Sequence, residues 1–432
     1  MKTITAVRWS FLSFFLRRLV IFGVFILISR VLTKADLGIF REFALIIAIP
    51  KVLSSLSLEY LLVLNEHNKK IFSYALKAVF ITGSICAVLL LLLSDFIGSL
   101  YHSKELTKIL YFSPLILIIE IYRNLFFFKY KKELWFKKIA LYQTLNVIIY
   151  SMLLVIFINF FKSFWILIIT FYFGDLMELI FYFTGDFKAN LTYIKKSLKT
   201  SFSQIFALLK KNSTFLSFTT INNLLNQISG NAPVLIMGMF FSVRQMGVFY
   251  LANQIVKTPL ALLTRSLSQV FFPVLAKMEK KSIKKNLERF LFVSLNIVYP
   301  LIFIYIMFLI KIIPVFFGEK WVDTIPLVKI LGFLIASILL FNPLSSLPTI
   351  LKKTNYELVW TVATLLFRGF ILVLGAQFGF STAIVLYVVV SFIMHFAFEI
   401  MSIKLFGFSV WFFIKKYLLY LLPNLLLLAV FF

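Results

Sequence analysis

The sequence predicts an all-α polytopic membrane protein of about twelve transmembrane helices, arranged as two six-helix lobes with pseudo-two-fold symmetry along the membrane normal around a central cavity. Three observations carry that expectation. Apolar residues make up 61% of the 432-residue chain, where a soluble domain holds about 45–50%, and mean hydropathy is +0.99. They fall into runs of about 20, the length a helix needs to cross hydrocarbon, with short polar loops between. A motif also occurs twice: Asp36-Leu37-Gly38-Ile39-Phe40 is followed by Pro50, and Gln245-Met246-Gly247-Val248-Phe249 by Pro259, each proline twelve positions past its glycine. An even number of spans between the copies gives both the same sense in the membrane, as in a parallel-repeat transporter.

In chain order, the spans of the N-lobe (1–184) are expected over residues 10–32, 38–64, 71–93, 109–128, 139–160 and 164–184. Arg17-Arg18 interrupts the first run and no small-residue cleavage site follows it, so that run reads as a retained helix, not a signal peptide. Residues 185–211, the longest polar segment, read as a cytoplasmic linker with amphipathic helical character at the interface. The C-lobe (212–404) holds spans over 213–241, 247–276, 290–313, 324–350, 357–377 and 381–404. In the C-terminal segment (405–432), residues 417–432 are apolar but short, which leaves a short thirteenth span or an interfacial anchor open.

Charge sets the orientation. The net charge of +27 would suggest nucleic acid in a soluble chain, but here it falls in loops between apolar runs, so nucleic acid is not an expected partner. Even-numbered loops hold 25 Lys and Arg against 9 in odd-numbered ones, with boundaries soft by a few residues. That excess places the even loops and the N-terminus in the cytoplasm.

Chemistry is sparse. No loop is long enough to fold as a catalytic domain, there is no GxxxxGK[ST] run, and His67, His102 and His395 are scattered, so no enzyme, cofactor or metal centre is expected. Cys86 is the only cysteine, which excludes an intrachain disulfide.

The informative residues are charges too deep to be topology signals. Lys51 and Arg368 lie near the middle of their spans, where an ionised group costs about 2.5–3.5 kcal/mol unless a partner, water or an anionic ligand waits inside. Lys257 and Arg265 fall on one side of the eighth span, with Pro259 between them. Arg17 and Arg18 lie in the first span, within reach of headgroups if they snorkel. Arg123 is either a further cavity cation or the i, i+3 partner of Glu120. Asp175 and Glu178 are like-charged at i, i+3 and need a raised pKa or a cation from elsewhere, which makes them, with Glu399, the ion-coupling candidates. His395 and Glu399 share a helix face and read first as a structural pair. Asn222, Asn223, Asn226, Gln227 and Asn231 form a polar stripe suited either to sugar hydroxyls or to bonds between helices.

Several segments resemble one family. Ile28-Ser29-Arg30-Val31-Leu32 with Asp36-Leu37-Gly38 looks like the junction between the first two helices of bacterial Wzx-like polysaccharide (O-antigen) flippases, a branch of the multidrug/oligosaccharidyl-lipid/polysaccharide exporter superfamily. Residues 242–253, Pro259, Phe272-Pro273-Val274-Leu275, Phe317-Gly318-Glu319-Lys320-Trp321, Pro343 and Leu351-Lys352-Lys353 continue the match. Asn231 departs from the acid common in the family's seventh helix. The resemblance implies a multi-pass protein of the bacterial cytoplasmic (inner) membrane that carries an undecaprenyl-diphosphate-linked oligosaccharide to the outer leaflet. Its expected partners are lipid-linked oligosaccharide, membrane lipids and a polysaccharide polymerase complex. Lys51, Lys257, Arg265, Arg368, Arg17 and Arg123 would then line a cationic cavity. A peptidoglycan-precursor flippase would use a similar cavity, whereas a drug/cation antiporter would want acids at that depth.

Overall fold

The computed structural model describes residues 2–64, 70–257, 299–341 and 354–405, with scattered positions over 292–296 and 407–419. Residues 258–276 of the eighth predicted span, Pro259 and Arg265 among them, and residues 420–432 lie outside the described residues. Every regular element described is helical, and the chain divides into two compact units, Met1–Asn231 with Ser242–Gly247, and Ala232–Phe241 with Val248–Phe432.

In the first unit, α1 (Lys2–Val31) is followed by α2 (Lys34–Ser55), α3 (Leu58–Leu64), α4 (Lys70–Leu92), α5 (Ser94–Leu100), α6 (Lys104–Leu110), α7 (Ser113–Lys132), α8 (Phe136–Ile158) and α9 (Phe164–Thr184). Two linker helices, α10 (Phe187–Lys199) and α11 (Phe202–Lys211), lead into α12 (Ser213–Met237). A helix over residues 243–257 (α13) follows. Then come α14 (Tyr299–Phe317), a 3-10 turn (Glu319–Thr324), α15 (Ile325–Phe341), α16 (Thr354–Ala376) and α17 (Phe380–Leu405). Among the described residues α4, α8, α9, Leu358–Ala376 of α16, and α17 are each long and apolar enough to cross a bilayer. The pair α6–α7, bent by 53° where Pro114 opens α7, makes a sixth.

The repeated motif is a helix start, and the reason lies in its caps. Thr33 and Asp36 form a capping box on α2: the Thr33 N–H donates to Asp36 Oδ2 (2.9 Å) and the Asp36 N–H to Thr33 Oγ1 (3.2 Å). The other Asp36 oxygen accepts from the Phe164 N–H (3.1 Å), so one carboxylate closes the starts of both α2 and α9. In the second copy Ser242 and Gln245 repeat the box, at 3.1 Å and 3.4 Å. The glycine two positions on permits close approach. A Cβ on Gly38 would run into the Val243 carbonyl, and one on Gly247 into the Lys34 carbonyl, so the two copies pack glycine to glycine.

The predicted second span is broken. Leu56 (φ 47°) and Ser57 (φ 55°) adopt left-handed backbone, which side chains resist, and α2 ends there while α3 begins. Ser57 is fully buried and holds the break by bonding α12: Thr220 Oγ1 lies at 3.1 Å and Asn223 Nδ2 donates at 3.2 Å. Ser57→Ala is expected to lower stability by about 1–3 kcal/mol, because buried Thr220 loses its partner. Thermal unfolding of the detergent-solubilised chain checks this.

The linker forms two docked helices. Lys77 of α4 donates to the Thr200 carbonyl (2.5 Å) at the α10–α11 junction, and buried Lys129 of α7 pairs with Asp186 (2.7 Å).

The second unit explains another motif. Gly318 (φ 97°) turns the chain after α14, and Phe317 and Trp321 on either side are fully buried. Tyr305 of α14 donates to the Ile255 carbonyl of α13 (3.0 Å), and α16 and α17 pair across a turn at Gly379 (φ 107°).

Candidate functional site

A layer of ionisable groups crosses the interior of the first unit, built from the C-terminal part of α2 and the middles of α7, α8 and α9. Lys51 of α2 pairs with Glu120 of α7 (3.2 Å). One turn along α7, Arg123 reaches α9, with Nε 3.4 Å from Asp175 Oδ1 and Nη1 3.1 Å from Glu178 Oε2. Asn146 of α8 ties the two acids together, donating through Nδ2 to Asp175 (3.2 Å) and Glu178 (2.6 Å). Gly174 makes room for it: a Cβ there would strike the Asn146 side chain.

The acids are buried, Asp175 at 4% and Glu178 at 1% exposure, while the Lys51 side chain keeps 29% and that of Arg123 21%. Five ionisable groups therefore meet in apolar surroundings, and the two cations are the more accessible members. Charge at this depth persists only when paired, because desolvation of a lone ion costs several kcal/mol.

The other sequence-derived candidates fall elsewhere. Arg17 donates to the Ser13 carbonyl of its own helix (3.2 Å) and lines a cavity of about 160 Å³ with Lys131, Phe127 and Gln143. Of the stripe on α12, Asn223 bonds Ser57, Asn226 and Asn222 approach each other at 3.5 Å, and Asn231 accepts from Arg41 (3.0 Å) while donating to the Gln227 carbonyl (2.9 Å). Only Asn226 of the stripe is exposed.

In the second unit Lys257 ends the described part of α13 and is half-buried. Arg368 of α16 meets His395 Nε2 of α17 at 3.0 Å and stands 5.8 Å from the centre of the Tyr387 ring. His395 thus faces Arg368, and both oxygens of fully buried Glu399 lack a hydrogen-bond partner among the described residues, which differs from the expected His395–Glu399 pair.

Sequence reading missed Asn146 and Glu42. The signal for the first was a carboxamide in mid-span; Glu42 on α2 is 1% exposed, and neither of its oxygens has a hydrogen-bond partner among the described residues.

The fold is that of polytopic membrane transporters. The chain superposes on a lipid II flippase, MurJ, in an inward closed conformation with a TM-score of 0.73 at 14% identity, covering 98% of this chain and 91% of that one. An inward-facing multidrug resistance MATE family transporter of the MOP superfamily gives 0.64 at 13% identity, covering 90% and 94%. Within that class, residues 27–326 match the family described as polysaccharide biosynthesis protein, and the chain belongs to it. Relatives include the lipopolysaccharide biosynthesis protein WzxC of Escherichia coli (strain K12), 22% identical over 88% of this chain and 76% of its own. The teichuronic acid biosynthesis protein TuaB of Bacillus subtilis (strain 168) is 25% identical over 40% of this chain and 36% of its own.

Proposed function

We propose that the chain is a flippase that moves an undecaprenyl-diphosphate-linked oligosaccharide from the cytoplasmic to the outer leaflet by alternating access. The carrying observation is the layer of ionisable groups, with part-exposed Lys51 near the end of α2 and Arg123 in the middle of α7, in a member of a polysaccharide biosynthesis family. A diphosphate cannot enter hydrocarbon without replacing its water, and cations inside the protein supply the replacement. In this reading Glu120, Asp175 and Glu178 hold the cations while the site is empty and yield them to the headgroup when it arrives. Arg17, and in the second unit Lys257, Arg265 and Arg368, are proposed as further cations for the diphosphate, and the α12 stripe as the contact for the sugar.

Two cations against three acids leave one negative charge in surplus when all are ionised. That surplus gives Asp175 and Glu178 a role in ion coupling, whereas buried Glu399 is the corresponding candidate in the second unit. Coupling would add to the membrane potential, which already favours outward movement of anions by about 2.3 kcal/mol per charge per 100 mV. The protein would work in the bacterial cytoplasmic membrane with its N-terminus inside, beside a polysaccharide polymerase.

The test removes charge while keeping shape. Lys51→Gln with Glu120→Gln leaves no lone buried ion, so the double variant is expected to insert normally and to export surface polysaccharide at least tenfold more slowly, as is Arg368→Ala. Wild-type export by both, at wild-type protein levels, would remove the cationic-path reading. Lysis from halted peptidoglycan-precursor transport, with polysaccharide export intact, would instead favour the lipid II alternative.

A further inference from the structure

We infer that the groove between α11 and the first half of α12 binds an acyl chain of an anionic phospholipid from the cytoplasmic leaflet. This stands apart from the transport reading; of the residues named there only Asn223 recurs, as a bond that holds one wall.

The groove is an open cleft of about 580 Å³, lined by Leu56, Phe206, Leu209, Leu216 and Ile221 together with Lys210 and the hydroxyls of Ser213, Ser217 and Thr220. Its shape does not depend on a pliable loop. One wall contains the left-handed turn at Leu56, which Ser57 fixes to Thr220 and Asn223 of α12. The facing wall, α11, begins at a capping box between Ser201 and Gln204 and is held from behind by Ile205, which is buried.

The surroundings select the occupant. Phe202 and Phe206 of α11 are 69% and 67% exposed, and Leu198 of α10 is 74% exposed, an arrangement water would penalise. Lys77 and Lys129 pin the helices that carry them, so these side chains cannot fold away. Around them Lys188, Lys195, Lys196, Lys199, Lys210 and Lys211 are all exposed. Apolar side chains beside a basic fringe match the headgroup boundary of an anionic leaflet. The lysines then meet the headgroup phosphate while one chain lies in the groove.

The experiment uses the full chain reconstituted in nanodiscs of phosphatidylcholine containing a small fraction of lipid with a photoactivatable acyl chain. Crosslinked residues are mapped by mass spectrometry. With a phosphatidylglycerol probe, labelling at Leu209, Leu216 and Ile221 is expected to exceed that by a phosphatidylcholine probe at least threefold. Lys210→Glu with Lys211→Glu is expected to bring the two to parity. Ile221→Trp, which narrows the groove and keeps the charges, is expected to lower labelling by both. Equal labelling by the two probes in the wild type overturns the inference, as does groove labelling no greater than at Leu92, an apolar side chain at the end of α4 that is 72% exposed. Stronger groove labelling by a polyprenyl-phosphate probe than by phosphatidylglycerol also overturns it, assigning the groove to a different lipid. Unchanged labelling in a folded Ile221→Trp variant does the same.

Discussion

Arg123→Met is expected to lower stability by about 3–5 kcal/mol. The guanidinium lies against both Asp175 and Glu178 and offsets their like charge, and methionine fills its volume without replacing that charge. The triple variant Arg123→Met, Asp175→Asn, Glu178→Gln removes the ions together. Carboxamides can still bond Asn146, so most of the stability is expected to return while polysaccharide export does not. Thermal unfolding of the purified chain, read beside export in cells, separates the structural contribution from the functional one. A single variant as stable as the wild type would mean that the acids do not depend on Arg123.

Gly247→Val should abolish accumulation of folded protein, and Gly247→Ala should lower the apparent melting temperature by several degrees. The added Cβ meets the Lys34 backbone carbonyl, which cannot turn aside as a side chain would, so α2 itself must shift. Gly38→Ala strikes the Val243 carbonyl from the other side of the same contact and is expected to behave alike. Gly23→Ala is the control: its Cβ has nothing within 4 Å, and alanine favours a helix interior by about 0.5–1 kcal/mol. Monodisperse yield and melting temperature of the four variants check the ordering, and a Gly247→Ala protein as stable as Gly23→Ala would show that the contact gives way.

Much of the fold was legible because each span is a local statement. The run expected over 164–184 is α9 to the residue, and the Asp36 and Gln245 motifs mark helix starts whose caps are three residues wide. The break at Leu56 was not legible, since neither Leu56 nor Ser57 is a residue that favours left-handed backbone; bonds from α12 hold it there. The 185–211 linker announced its amphipathic character, but not that Lys77 and Lys129 would pin it against the N-terminal unit.

The candidate site divides the same way. Two acids one turn apart on α9 called for either a raised pKa or a cation from elsewhere, and the sequence left both open. It could not say which cation, and Arg123 looked equally suited to Glu120, its own neighbour on α7. Packing decided the matter: α7 lies against both α2 and α9, so Glu120 takes Lys51 and Arg123 takes the more deeply buried acids.

By itself, then, the sequence determined which stretches are long and apolar enough to cross lipid, and that the chain carries charge where charge is costly. Those properties follow from hydropathy and charge summed along short stretches of chain. Which ions neutralise one another, where glycine lets two backbones touch, and which polar groups are consumed in holding α12 were decided only by the tertiary structure. Each depends on a distance of about 3 Å between residues far apart in the chain, and no local rule fixes such a distance.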